Sequence, residues 1–193
     1  SQHTGTFPLT ESQREIWLAA QMGGEAAVAY NESLRLEFRG PFDAEVFRTA
    51  LHRVVERHPI LFATFSPDGQ SQTIAAGRAL DIPEIDFSSK PEREQRELVA
   101  AIVDKEVSTP FDLTAGPLLR VKILQLSREY FVVTWTAHHI VCDGWSTGLL
   151  INELASVYSA LSSGTDVHLE EPLPFREYAM EIYANSSGAR EAI

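Results

Sequence analysis

The most constraining feature of the sequence is the segment at residues 130–137 (YFVVTWTA), in which nearly every side chain is apolar. Aromatic and β-branched residues dominate it, which is typical of a strand rather than a surface helix. A second strand is predicted at 118–126, and only Ser127-Arg128-Glu129 separates the two. A strand that is apolar on both sides needs packing partners on both faces, so we expect 130–137 near the centre of a sheet.

Helical and further strand patterns surround this pair. Residues 30–39 alternate apolar and polar side chains, which predicts a half-buried strand. Thr10 and Gln13 form a capping-box pattern at the start of a first helix. The other predicted elements are a helix opened by Asp43, a hairpin around 66–69, a helix at 91–107 with Leu98, Ile102 and Val103 inward, a helix between 144 and 164, and a short helical piece at 175–184. Strands and helices without strict βαβ alternation predict an α+β fold, with a mixed sheet flanked by helices.

Composition excludes several classes of function. The 193 residues carry a formal net charge of −11, which argues against a nucleic-acid partner, because phosphate binding needs a positive surface. The single cysteine, Cys142, rules out an internal disulfide and fits a reducing compartment. No apolar run is long enough to cross a bilayer, and the first residues lack a secretory pattern. We therefore expect a cytoplasmic protein without membrane contact.

The candidate site follows the central strand directly, at residues 137–146 (AHHIVCDGWS). A metal site is not predicted, because successive side chains of a strand point to opposite faces and His138 and His139 cannot readily share one ion. Cys142 is a weak candidate nucleophile, since the neighbouring Asp143 disfavours a thiolate. Two interpretations stay open: hydrogen-bonded core histidines with Asp143 as a helix cap, or an acid–base histidine held by a nearby aspartate.

These residues resemble a known family. The segment 138–144 (HHIVCDG) is similar to the HHxxxDG motif of condensation domains of non-ribosomal peptide synthetases, and the similarity continues through Glu153-Leu154. Epimerisation domains share the motif but continue differently, and heterocyclisation domains carry a DxxxxD version. Three further segments resemble family motifs and follow in family order, at 9–17, 57–65 and 175–179. The chain is identified on these grounds as a condensation-type member.

The resemblance implies a fold and an organisation. Condensation domains have two chloramphenicol-acetyltransferase-like lobes that form a V around a tunnel. Residues 1–180 resemble the N-terminal lobe, and 181–193 would lead toward a C-terminal lobe that this chain lacks. We therefore expect little or no condensation activity from this chain alone.

The resemblance also implies roles for individual residues. His139 would act as general base, or would position the amine and stabilise the oxyanion, while His138 would be a structural hydrogen-bonder. Gly144 would permit a tight turn and close approach of substrate, and Trp145 would support the motif. The family's second arginine in the 57–65 motif is replaced by Phe62, so Asp143 needs another partner. The candidates for that partner are Arg57 and Arg120.

The implied reaction transfers an acyl or peptidyl thioester on one carrier protein to the amine of an aminoacyl group on a second carrier. No intrinsic cofactor is implied, because the 4′-phosphopantetheine arms belong to the carriers. The implied partners are donor and acceptor carriers and the C-terminal lobe. The alternatives are a non-catalytic lobe that docks carriers and a stand-alone acyltransferase.

Overall fold

The computed structural model describes residues 4–75 and 79–169. The helices in these ranges are α1 (Glu11–Gln21), α2 (Ala44–Arg57), α3 (Glu92–Ser108) and α4 (Gly144–Ser163). The strands are β1 (Gly5–Pro8), β2 (Asn31–Arg39), β3 (Thr64–Phe65), β4 (Ser71–Ile74), β5 (Glu84–Asp86), β6 (Leu119–Ser127) and β7 (Tyr130–His138). None of the described helices is long and apolar enough to span a membrane.

The main sheet has the strand order β2-β7-β6-β5, so the apolar strand β7 lies inside it as predicted. β7 pairs antiparallel with β2 and β6, whereas β5 pairs parallel with β6, which makes the sheet mixed. Both faces of β7 are covered. Trp135 belongs to the core formed with α2 and α4, while Val132 belongs to a smaller cluster with Val99 of α3. This double burial explains why the strand is apolar almost throughout.

A second, smaller sheet has the order β1-β4-β3 and lies beside α1. Its β3–β4 hairpin was predicted, whereas β1 was not. Gly69 lies in the hairpin turn at φ 66°, a conformation that favours glycine. A Cβ at this position would lie 2.5 Å from the ring of Trp17, so the turn also needs glycine in order to pack against α1.

The buried face of α3 differs from the prediction. Leu98, Ile102 and Val103 are only partly buried, although Ile102 does pack inward against the smaller core cluster. The buried residues of the helix are Gln95, Val99 and Glu106. The two polar side chains are buried because the fold supplies partners. Gln95 donates to the carbonyl of Leu126 at 2.8 Å, and Glu106 is paired with two cations of β6, Arg120 and Lys122. A prediction based on the periodicity of apolar residues misses buried polar positions of this kind. The helical piece predicted at 175–184 lies outside the described residues.

Candidate active site

The candidate site is the loop that joins β7 to α4. Its backbone is fixed to the residues that immediately precede the strands on both sides of β7. The amide of His138 donates to the carbonyl of Leu118 at 3.0 Å, and the amide of His139 donates to the carbonyl of Tyr30 at 2.9 Å. The loop therefore starts from a rigid base at the centre of the sheet.

His138 is a core residue with 1% of its surface exposed. Its Nδ1 accepts a hydrogen bond from the Ile140 amide at 3.2 Å, so the ring proton belongs on Nε2. The pKa of His138 is lowered to about 4, chiefly by burial and in smaller part by the charges of His139 and Arg120. The ring is thus neutral at physiological pH. This is the placement expected of a structural hydrogen-bonding histidine.

His139 faces the other way, and 36% of its side chain is exposed. Its Nδ1 lies 2.5 Å from Oε1 of Glu32. A carboxylate can only accept, so Nδ1–H donates to Glu32 when the imidazole is neutral, and the lone pair is on Nε2. Within residues 4–75 and 79–169, Nε2 of His139 has no hydrogen-bond partner. The arrangement leaves one ring nitrogen held and the other able to accept a proton.

Glu32 is a site residue that the sequence reasoning missed. It lies on β2 opposite Ala137, on the same side of the strand as the apolar residues Leu34 and Leu36. The available signal was an acidic residue at an inward position of a half-buried strand. Such a residue needs a partner, and the partner here is His139.

Gln13 connects the first motif to the site loop. Its Nε2 donates to the carbonyl of Ile140 and to Oε1 of Gln72, both at 3.1 Å, and Nε2 of Gln72 donates back to Oε1 of Gln13 at 2.8 Å. Both side chains are buried. Thr10 and Gln13 form the predicted capping box of α1, which orients Gln13 toward the loop. The N-terminal motif thereby supports the histidine loop through a buried amide pair.

Cys142 is buried, and its Sγ lies 3.1 Å from Oγ1 of Thr147. The pKa of the Cys142 thiol is raised to about 11. Burial is the largest cause, the charges of Glu32 and Asp143 act in the same direction, and the Thr147 contact opposes them. The thiol is therefore protonated at neutral pH and inaccessible. A nucleophilic role for Cys142 is disfavoured, as the sequence indicated.

The structure corrects the partner expected for Asp143. The carboxylate accepts a hydrogen bond from the Ser146 amide at 2.7 Å and caps α4. The expected ion pair with Arg57 or Arg120 is not among those formed in the described part of the chain. Asp143 therefore holds the loop as a helix cap. The pKa of Asp143 is lowered, first by the Ser146 backbone amide, then by the Ser146 side chain, and in smaller part by His139.

The two arginines are paired with other carboxylates. Nε of Arg57 lies 3.2 Å from Oε2 of Glu153, and the same oxygen is 2.9 Å from Nε2 of His58, so this cluster joins α2 to α4. Arg120 lies 2.8 Å from Glu106 on α3. Each arginine supports an element that flanks the loop, but neither contacts Asp143 there, because the helix N-terminus already satisfies that carboxylate.

The expectation for Trp145 needs correction, and so does the tight turn expected of Gly144, whereas close approach of substrate to Gly144 stays a prediction. Gly144 is the first residue of α4 and its φ is not positive, so the turn does not demand glycine. No described heavy atom lies within 4 Å of the position that a Cβ at Gly144 would occupy. Trp145 is 79% exposed and does not pack behind the motif. Both residues face open space beside the site.

Replacing Asp143 with alanine at pH 7 is expected to destabilise the protein by about 1 kcal/mol, because α4 loses its cap. Asp143→Asn is the matched control, since asparagine caps a helix about as well without the charge. Thermal or urea unfolding distinguishes the two roles: equal losses in both variants would indicate an ion pair instead. The pKa of Asp143 is lowered from 3.8 on folding, so its stabilisation is complete above 3.8 and is lost as the pH falls through the lower folded value.

Metal binding is not suggested by the geometry. In the ranges that the structure describes, no group of three or more histidine, cysteine, aspartate or glutamate side chains is arranged to hold an ion. The two adjacent histidines point to opposite sides of β7, as strand geometry requires. What the site presents is a single accessible imidazole held by a carboxylate.

Comparison with known proteins identifies the family. The family described as Condensation domain matches residues 3–191. The chain is 34% identical over 172 residues to chondramide synthase cmdD of Chondromyces crocatus, covering 88% of this chain and 4% of that protein. It is also 34% identical over 174 residues to phosphinothricin tripeptide synthetase PhsC of Streptomyces viridochromogenes, covering 89% of this chain and 16% of that protein. The chain thus spans only a small fraction of these relatives.

Solved structures agree on the fold. The starter condensation domain of rhizomide synthetase RzmA has a TM-score of 0.86 and 26% identity, with 97% of this chain and 47% of that chain covered. The first condensation domain of the calcium-dependent antibiotic synthetase has a TM-score of 0.79 and 26% identity, with 96% and 45% covered. The predicted α+β, chloramphenicol-acetyltransferase-like fold is confirmed. Sequence, fold and the placement of the histidine motif agree that this chain belongs to the condensation domain family.

Proposed function

We propose that this chain is the histidine-bearing lobe of a condensation domain that forms amide bonds in non-ribosomal peptide or hybrid polyketide–peptide biosynthesis. The observation that carries the proposal is the state of His139, whose Nδ1 is held by a carboxylate and whose Nε2 has no partner in the described part of the chain. The lobe would comprise residues 1–180, and 181–193 would lead toward a second, C-terminal lobe. The chain covers 40–47% of the RzmA domain chains it matches, which supports a single lobe.

The proposed reaction places His139 between an attacking amine and a thioester. The amine nitrogen bonds to the thioester carbonyl carbon, and Nε2 of His139 accepts the proton that the nitrogen loses. The carbon–sulfur bond then breaks, and His139 returns the proton to the departing sulfur. An α-amino group has a pKa of about 7.7–8.0, so deprotonation is a modest demand at neutral pH, and hydrogen bonding to the amine or oxyanion is the other contribution open to His139.

The proposed substrates are an acyl or peptidyl donor and an aminoacyl acceptor, each a thioester on the 4′-phosphopantetheine arm of a carrier protein. Two observations support this class. The matched relatives include synthases of gramicidin and bacitracin. One matched structure is an RzmA starter domain variant in complex with C8-CoA and Leu-SNAC.

The proposal is tested with loaded carriers and mass spectrometry. The complete two-lobed domain is expected to form the acyl–aminoacyl product on the acceptor carrier, while the 193-residue chain alone forms little or none. Adding the C-terminal lobe in trans should restore product. Robust condensation by the single chain would contradict the need for a second lobe.

Two other outcomes would replace the proposal. Carrier binding without amide formation by the complete domain would indicate a docking module. Turnover of a free coenzyme A thioester with a soluble amine, but not of carrier-bound substrates, would indicate a stand-alone acyltransferase. The same set of assays therefore separates all three functions.

A further inference from the structure

We infer that Glu32 is a positioning residue that holds His139 in the Nδ1–H tautomer and thereby directs the lone pair of Nε2 toward substrate. The inference rests on the proposed function of His139. The sequence alone offers a nearby aspartate, Asp143, for the role of holding the histidine, but that carboxylate is used by the N-terminus of α4. Among residues 4–75 and 79–169, the carboxylate within hydrogen-bonding distance of the imidazole is that of Glu32.

The contact is set by strand pairing rather than by two flexible surface side chains. Glu32 lies opposite Ala137 in the antiparallel register of β2 and β7. The amide of His139 donates to the carbonyl of Tyr30, the residue immediately before β2, so one segment of chain carries Glu32 and holds the backbone of His139. The centroid of the Tyr30 ring lies 6.3 Å from that of the His139 ring, so the two rings are neighbours on this side of the sheet. A rigid backbone frame therefore brings Nδ1 and Oε1 to 2.5 Å.

The same contact has two chemical effects. Before reaction, an anionic acceptor at Nδ1 requires the ring proton there, which leaves Nε2 as the basic nitrogen. After proton transfer, His139 becomes an imidazolium whose Nδ1–H forms a charge-assisted hydrogen bond to Glu32. Both side chains are about one-third exposed, at 36% for His139 and 38% for Glu32, so the pair is open to substrate on one side. In the catalytic triads of hydrolases, a carboxylate likewise orients the histidine that acts as the base.

The test combines a spectroscopic and a kinetic measurement in the complete two-lobed domain. Selective ¹⁵N-histidine labelling and two-bond ¹H–¹⁵N correlation report the tautomer of His139, which is assigned by its loss in His139→Gln. Glu32→Leu removes the acceptor, and Glu32→Gln keeps the shape with an amide oxygen that can still accept. Glu37→Gln is the matched control, because Glu37 lies on the same strand, is similarly exposed and pairs with Arg35 and Arg39 instead.

We expect the Nδ1–H form in the wild type and in Glu37→Gln, and a shift to mainly Nε2–H in Glu32→Leu. The kcat for condensation should fall about 10- to 100-fold in Glu32→Leu, with the acceptor KM within about twofold, and should recover partly in Glu32→Gln. An unchanged tautomer or a wild-type kcat in Glu32→Leu would overturn the inference. If the wild-type domain forms no amide bond, the proposed function fails, and the tautomer measurement still decides the role of Glu32.

Discussion

Replacing His139 with alanine in the complete two-lobed domain is expected to slow amide bond formation by about 10²–10⁴-fold, the usual contribution of a positioned acid–base group. Stability should change little, because the side chain is partly exposed and loses one hydrogen bond, to a Glu32 carboxylate that is itself partly exposed. The measurement is single-turnover condensation with loaded carriers, alongside thermal unfolding. His52→Ala, a partly buried histidine on α2, is the control for general effects of histidine loss. A wild-type rate in His139→Ala would end the proposed role.

A second substitution at the same position separates the two contributions open to His139. Glutamine can donate a hydrogen bond to an oxyanion or accept one from an amine, but it cannot take up a proton at neutral pH. If proton transfer dominates, His139→Gln is as slow as His139→Ala. If positioning and oxyanion stabilisation dominate, His139→Gln retains a substantial part of the rate.

Replacing Glu106 with alanine is expected to destabilise the protein by about 3 kcal/mol, because it leaves two largely buried cations without their carboxylate. Glu106 lies 2.8 Å from Nε of Arg120 and 2.5 Å from Nζ of Lys122. The Arg120 contact is an ion pair that lacks the alignment of a hydrogen bond. Urea unfolding measures the loss, and a change below about 1 kcal/mol would show that the cations reach water once the glutamate is gone.

The matched control for Glu106 is on the same helix. Glu97 pairs with Arg93 at the surface, where both side chains are mostly exposed. Glu97→Ala should change the free energy of unfolding by less than about 0.5 kcal/mol. The contrast between the two glutamates tests burial rather than helix propensity, since both substitutions are Glu to Ala within α3.

Loss of Glu106 is also expected to disturb the loop that joins β7 to α4. Arg120 donates to the carbonyls of Glu106 and Thr109 at 2.8 Å and lies 3.8 Å above the ring of Phe111. Phe111 in turn packs edge-on against His138 at 5.9 Å. We therefore expect Glu106→Ala to lower condensation activity in addition to stability, although Glu106 does not touch the loop. Activity that stays at the wild-type level below the unfolding transition would limit Glu106 to a stabilising role.

Local patterns predicted much of the fold. The apolar run at 130–137, the alternation in β2 and the capping box at Thr10 each depend on neighbours in sequence, and each was found where predicted. β1 and β5 were missed because they are strands of four and three residues whose hydrogen bonds come from β4 and β6. Short edge strands have no pattern of their own, since pairing and not composition defines them.

In the candidate site, too, some features were predicted from the sequence and others depend on tertiary packing. Strand geometry alone placed His138 and His139 on opposite sides of β7. Cys142 is disfavoured as a nucleophile chiefly because it is buried, and the acidic neighbour named from the sequence, Asp143, contributes least to its raised pKa. The predicted partner of Asp143 was wrong. Whether an arginine lies close to Asp143 depends on tertiary packing, which the spacing of residues along the sequence does not predict. The support expected from Trp145 failed for the same reason.

By itself, the sequence determined the central strand, the helices that flank it, the family and the histidine most suited to acid–base chemistry. The tertiary structure decided which groups hold that histidine. Glu32 is 107 residues away from His139 along the chain, and Gln13 reaches the loop from 127 residues away. Periodicity and capping act over a few residues and can be read locally. A hydrogen bond between distant strands exists only after the chain has folded, because the register of β2 against β7 sets the distance between its atoms.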